Sequence, residues 1–86
     1  GREETLELRG LTVQFEKDIY IYTSEELQNV YVLDPSNKRV VIFDKSGTFV
    51  KELQSVSLAS ANGITVSESL GKIFVSSGSI IYQVDL

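Results

Sequence analysis

The stretch NVYVLDPSNKRVVIFDKSGTFVKEL, residues 29–53, decides the fold of this 86-residue chain. Three runs rich in β-branched and aromatic residues begin near Val30, Arg39 and Thr48, and the sequences DPSN and DKSG separate them. Such runs, bounded by Pro, Gly, Asn, Asp and Ser, are typical of short antiparallel strands joined by tight turns. The stretch therefore predicts a three-stranded meander.

The same unit occurs twice, because the sequence matches itself after a shift of 43 residues. The shift aligns Thr5 with Thr48, Val13 with Val56, Ile21 with Ile64, Ser24 with Ser67, Glu25 with Glu68, Leu27 with Leu70 and Val32 with Val75. A two-residue deletion after the second strand then brings Val40 opposite Ile81 and Asp44 opposite Asp85. Apolar and turn positions stay in step in both copies, which indicates an internal repeat.

Each copy is predicted to be all-β. The predicted strands are residues 18–24, 29–33, 39–44 and 48–53 in the first copy, and 63–67, 72–76 and 79–84 in the second. The second copy lacks a fourth strand, whose equivalent, residues 5–9, stands at the other end of the chain. Residues 24–28 resemble the start of a helix with a capping box, but the run is short and strands flank it, so a turn is predicted there.

Composition excludes several classes of function. The chain has 8 Lys and Arg against 12 Asp and Glu, a balance that argues against binding the phosphates of nucleic acids. It has no Cys and no His, so disulfides, thiolate zinc sites and a Ser-His-Asp arrangement are impossible within it. No apolar run approaches the roughly 20 residues of a membrane span. We therefore expect no enzyme activity, cofactor or metal, and neither nucleic acid nor membrane as partner.

Antiparallel four-stranded meanders that repeat every ~40 to 50 residues are the signature of β-propeller blades. Residues 34–50 resemble the NHL repeat, and the positions that carry the resemblance are Asp34, Asn37, Arg39, Phe43, Gly47 and Phe49. The second copy departs from this pattern, with Ser77, Gly78 and Ser79 where Asp, Asn and Arg would stand. A YVTN-type repeat is the closest competitor, because residues 29–44 are similar to it as well.

The resemblance implies two blades of a six-bladed propeller, residues 18–53 and residues 63–85. It also implies that Asp34 and Arg39 form a pair that pins two strands or two adjacent blades.

Two blades alone would leave outer apolar faces and an exposed strand edge, because stacked repeats need about three units to close a core. We expect the strand within residues 4–9 to complete the last blade of a neighbouring chain, so that repeated head-to-tail contacts close a ring. A ring of two-blade chains holds four, six or eight blades, and the resemblance favours six, as a homotrimer. The predicted subunit interface comprises Thr5, Leu6, Glu7, Leu8, Ile80, Ile81 and Tyr82.

Candidate ligand-facing residues lie on the first strand and in one turn. Tyr20 and Tyr22 would line a central channel, although packing between blades explains them equally well. Asn37 and Lys38 lie where the loops of a propeller cluster, and a protein, peptide or glycan partner is expected there. The turn containing Asp34, Ser36 and Asn37 could hold a cation, but such residues are also ordinary turn formers, and that interpretation is favoured.

The sequence thus predicts a non-enzymatic β-propeller scaffold or interaction module that assembles by strand exchange. Because the chain begins with Gly1 and contains no Met, we expect it to be the C-terminal part of a larger protein. The alternative is a fragment of a six-bladed propeller enzyme, a metal-dependent lyase or hydrolase, with no activity by itself.

Overall fold

The computed structural model describes residues 7–86, which form two antiparallel sheets and no α-helix. The four-stranded sheet contains, in this order, β1 (Tyr20–Tyr22), β2 (Asn29–Asp34), β3 (Arg39–Asp44) and β4 (Phe49–Gln54). The three-stranded sheet contains β5 (Gly63–Ser67), β6 (Lys72–Ser77) and β7 (Ile80–Asp85). Two 3₁₀ helices are present, Pro35–Asn37 and Val56–Ser60. The predicted all-β class and its antiparallel meanders are confirmed.

Local differences from the predicted elements have identifiable causes. Strand β1 is shorter than predicted, because only three of its residues pair with β2. The predicted turn after β2 is a 3₁₀ helix, in which Pro35 sets the first position and Lys38 ends the helix in the left-handed region with a φ of 55°. Residues 24–28 form a turn, as predicted, with the Leu27 amide donating to the Ser24 carbonyl at 3.2 Å.

Strands β2 and β3 are buried on both faces, which explains their continuous apolar runs. We call one face of the four-stranded sheet its front face; it carries Tyr31, Leu33, Val40 and Ile42. The opposite side is the back face, and it carries Val30, Val32, Val41 and Phe43. Side chains alternate between the two faces along each strand, so the sheet presents two separate apolar surfaces.

The front face of the four-stranded sheet packs against the three-stranded sheet. The residues that meet it there are Val66, Ile73 and Val75, and Leu58 and Ala61 between the sheets belong to the same buried cluster. The back face is covered by the chain that precedes β1, through Leu8, Leu11, Phe15 and Ile19. Phe15 and Phe49 both contact the ring of Phe43 edge to face, with centroid distances of 6.4 and 6.5 Å. Every apolar face of the four-stranded sheet is therefore occupied.

The two copies of the repeat pack with different faces in contact. Val32 and Val75 are equivalent in the 43-residue shift, yet Val32 lies on the back face and Val75 points into the core between the sheets. The front of the first sheet thus meets the back of the second. The strand registers place Lys72, Phe74, Ser76 and Ile81 on the opposite side, the front face of the three-stranded sheet. No residue between 7 and 86 packs over that front face as the second sheet packs over the first.

Candidate functional site

A buried ion pair lies at the back face of the four-stranded sheet. Asp34 and Arg39 are opposite one another in the β2–β3 register, and the Arg39 Nε donates to Asp34 Oδ2 at 2.8 Å with both side chains buried. The Arg39 Nη2 donates to the Val13 carbonyl at 2.7 Å, and the guanidinium lies 5.2 Å from the ring centre of Phe15. The pair joins two strands, as the resemblance implied, and also holds the preceding segment on the sheet.

The second copy holds its equivalent segment with serines. Ser77, which aligns with Asp34, donates its hydroxyl to the Ser60 carbonyl at 3.1 Å, and the two hydroxyl oxygens are 2.7 Å apart. Ser60 ends the 3₁₀ helix that lies beside the back face of the three-stranded sheet. At the position equivalent to Asp34, the second copy therefore has neutral hydrogen bonds to the preceding segment in place of a buried ion pair.

The side chains of the oxygen-rich turn, and the carboxylates of Asp44 and Glu52, are engaged in structural contacts. The Asn37 side-chain amide donates to Asp34 Oδ2 at 2.9 Å, so the turn residues bind one another. Asp44 Oδ1 accepts from the Ser46 and Thr48 amides at 2.9 and 3.0 Å, and Glu52 accepts from Arg39. The part of the chain that the structure describes has no cluster of three or more His, Cys, Asp or Glu side chains able to hold a metal ion.

A carboxylate bridges the two sheets at a place that the sequence did not single out. Glu68, in the turn after β5, accepts from the Gln28 amide at 2.8 Å and from the Asn29 amide at 3.2 Å. The Tyr31 hydroxyl donates to the same carboxylate at 2.6 Å. The contact joins the turn of the second sheet to the start of β2 in the first. The only sequence signal for Glu68 was its alignment with Glu25, which did not indicate a partner.

The surroundings shift the pKa values of both side chains in this bridge. Burial and the hydrogen bond to Glu68 raise the pKa of Tyr31 to about 12. Desolvation acts to raise the pKa of Glu68, but the hydrogen bonds from Tyr31, Gln28 and Asn29 and the positive charge of Lys45 outweigh it and lower that pKa overall. The bridge therefore consists of a neutral phenol and an ionised carboxylate at neutral pH.

A groove beside this bridge has a volume of about 450 Å³, and Gln28, Lys51, Glu68 and Leu86 are among its lining residues. It is open, and it combines one carboxylate and one ammonium with apolar side chains. No histidine or cysteine lines the groove, because the chain has neither.

The predicted ligand-facing residues do not share one site. Asn37 and Lys38 line a groove of about 390 Å³ with Gln54 and Val56. Tyr20 lines a different groove of about 370 Å³, beside Pro35 and the second 3₁₀ helix. Tyr22 packs against the core between the sheets, so for this tyrosine the packing alternative describes the structure.

The predicted subunit-interface residues fall into two regions. Thr5 and Leu6 lie outside the described residues, Glu7 is exposed, and Leu8 packs against the back face of its own four-stranded sheet. Residues 7–9, predicted to end a strand, form only one parallel bridge, Arg9 to Thr48, because the Arg9 backbone bonds to Gly47 and Phe49. Ile80 and Ile81 on β7 are 54% and 70% exposed, and Tyr82 is half-buried.

No protein-family model, no curated protein and no solved structure matches the chain. None of the helical segments in residues 7–86 has the length and apolar character that a membrane crossing requires. The fold and the contacts described above therefore define the chain as an all-β protein of two antiparallel sheets, stacked in the order of its repeat.

The bridge between Tyr31 and Glu68 predicts how stability depends on pH. The lowered pKa of Glu68 adds stability above its ordinary pKa of 4.5, and this contribution is lost as the pH falls below that value. The raised pKa of Tyr31 adds stability below its ordinary value of 10.0, and this is lost as the pH rises toward about 12. Urea unfolding as a function of pH measures both the acid limb and the alkaline limb, that is, the loss of stability at low and at high pH.

Two variants assign the limbs to their groups. Tyr31→Phe is expected to remove the alkaline loss, whereas Tyr20→Phe, at an exposed tyrosine, retains it. Glu68→Gln is expected to lower the free energy of unfolding at pH 7 by about 1–2 kcal/mol, because charge-assisted hydrogen bonds are lost, and to flatten the acid limb. Equal alkaline limbs in Tyr31→Phe and Tyr20→Phe would contradict this assignment.

Proposed function

We propose that the chain is a non-enzymatic scaffold, two blades of a β-propeller, which assembles head to tail into a closed ring and binds partners through its loops. Six blades, as a homotrimer, is the proposed size, since it follows from the resemblance to NHL repeats. The ring would hold a protein, peptide or glycan at the grooves lined by Tyr20 and by Asn37 and Lys38. No catalytic residue is part of the proposal.

The observation that carries this proposal is the front-to-back stacking of the two sheets. A contact between two different faces can continue from chain to chain, whereas a contact between identical faces ends at a dimer. The open front face of the three-stranded sheet carries Phe74 and Ile81, which align with Tyr31 and Val40 of the first copy. Tyr31 and Val40 are 1% and 0% exposed under the second sheet, so their equivalents fit beneath a further sheet.

Part of the segment that covers the back face can stay in place when the sheet of another copy packs there, and part must move. Phe15 aligns with Leu58, and Leu58 itself lies between two stacked sheets, so this part of the segment can stay in place. Leu8 aligns with Lys51 of β4, the strand that pairs with the third strand of its sheet. In the ring, the chain near Leu8 would therefore leave its own sheet and pair with the free edge of β7 in a neighbouring copy. Assembly would replace the single bridge of Arg9 by a strand pairing.

The experiment is the mass in solution, measured by light scattering behind a sizing column across a dilution series. The expected result is a mass near three times 9.6 kDa that is stable on dilution. Ile81→Lys is expected to lower the mass, because it places a charge on the front face, while Val56→Lys, at a side chain 78% exposed on the second 3₁₀ helix, leaves it unchanged. A folded monomer for the parent chain would overturn the proposal.

A further inference from the structure

The bridge made by Glu68 is a contact between consecutive sheets. Its carboxylate leaves the turn after the first strand of one sheet and reaches the start of the second strand in the preceding sheet. The positions that receive it are Gln28, Asn29 and Tyr31. All of them have equivalents in the second copy. The same kind of contact can therefore form between the three-stranded sheet of one chain and the four-stranded sheet of another.

Glu25 is the equivalent of Glu68 in the first copy. It lies in the turn after β1, is exposed, and makes no hydrogen bond or ion pair with any residue from 7 to 86. Residues 7–86 contain no sheet that comes before the four-stranded sheet in the stack. The carboxylate is therefore placed to meet the last sheet of another copy.

The receiving positions on that last sheet are Gly71, Lys72 and Phe74, the equivalents of Gln28, Asn29 and Tyr31. Phe74 has no hydroxyl to replace that of Tyr31, and the Gly71 amide already donates to the Glu68 carbonyl at 3.1 Å. Lys72 supplies an ammonium instead. Its position on the front face, beside Phe74 in the strand alternation, puts a positive charge where Glu25 would arrive.

We propose that Glu25 of one copy binds Lys72 of a second copy across the open front face of the three-stranded sheet, and that this ion pair orients the contact between copies. The inference rests on the proposed ring and names the residues that recognise the partner. Lys72 already pairs with Asp85 of its own chain, at side chains that are 36% and 79% exposed. An ammonium has three donors, so it can hold both carboxylates.

The occupant of the front face is thus a second copy of this chain. The contact continues the interface that the two sheets already form within one chain, with a front face meeting a back face at repeat-equivalent positions. The charges are complementary, since Glu25 stands opposite Lys72 at the predicted junction. Close pairs of opposite charge fix the register of an interface and disfavour other partners.

Charge reversal tests the pair. Glu25→Lys and Lys72→Glu are each expected to weaken assembly by about tenfold or more, since like charges would meet, and the double variant is expected to recover to within about threefold of the parent. The matched control is Glu26→Lys, which makes the same charge change at the next exposed residue and is expected to change assembly by less than about threefold. Sedimentation equilibrium across a dilution series measures the dissociation constant of each variant.

The outcomes separate this inference from the proposed ring. If the parent assembles but Glu25→Lys and Glu26→Lys behave alike, or the double variant shows no recovery, the ion pair is overturned and the ring stands. A monomeric parent overturns both. Because Glu25 is exposed, Glu25→Lys is expected to keep the circular dichroism spectrum of the parent, so its comparison with Glu26→Lys decides the question even if Lys72→Glu unfolds the chain.

Discussion

Replacing Asp34 with alanine is expected to lower the free energy of unfolding by about 3–5 kcal/mol. The substitution leaves the Arg39 guanidinium buried, with its side chain 3% exposed, and removes the acceptor of its Nε hydrogen bond at 2.8 Å. It also removes the acceptor of the Asn37 amide, which shapes the turn between β2 and β3. A loss of this size is a large part of the stability of a small domain. Urea unfolding at pH 7 measures it.

Two controls separate a buried charge from a lost contact. Asp85→Ala breaks the exposed pair with Lys72 and is expected to cost no more than about 1 kcal/mol. The double variant Asp34→Leu with Arg39→Met removes both charges and is expected to be more stable than Asp34→Ala alone, because no guanidinium stays buried without the Asp34 carboxylate. If the double variant is less stable than Asp34→Ala, the loss in Asp34→Ala does not come mainly from the buried charge of Arg39, and the expectation is wrong.

The second large effect is expected at Leu58, whose replacement by alanine should cost about 2–5 kcal/mol. Leu58 is 1% exposed and lies in the core shared by the two sheets, so its truncation leaves a cavity there. Val56→Ala is the matched control on the same 3₁₀ helix, where the side chain is 78% exposed and the expected change is within about 0.5 kcal/mol. Chemical unfolding of both variants measures the difference. Equal losses would contradict the assignment of Leu58 to the junction between the sheets.

Most strands were predictable because their signals are local. The predicted residues 39–44 and 63–67 agree with β3 and β5, and the other observed bounds from β2 onward differ by one residue at one or both ends. Strand β1 was overpredicted by two residues at each end, since the alternating sequence of 18–24 continues beyond the part that pairs with β2. The 3₁₀ helix Val56–Ser60 was not predicted, because its sequence VSLAS has neither a strand pattern nor a strong helix signal.

The candidate sites were less predictable than the strands. The pairing of Asp34 with Arg39 followed from the resemblance, and the register of β2 and β3 places them opposite one another. The bridge of Glu68 to Tyr31 spans 37 residues in sequence, and no local pattern connects them. Of the predicted ligand-facing residues, Tyr22 belongs to the core between the sheets, Tyr20 lines one groove, and Asn37 and Lys38 line another.

The sequence by itself determined the all-β class, the order of the strands and the internal repeat, because alternation of side chains and turn residues act over a few neighbouring positions. Only the tertiary structure decided which faces meet. It placed Val75 toward the first sheet and Val32 away from the second, and it laid residues 8–19 across the back face. These choices depend on packing between segments far apart in the chain, where shape and burial of whole faces outweigh local preference.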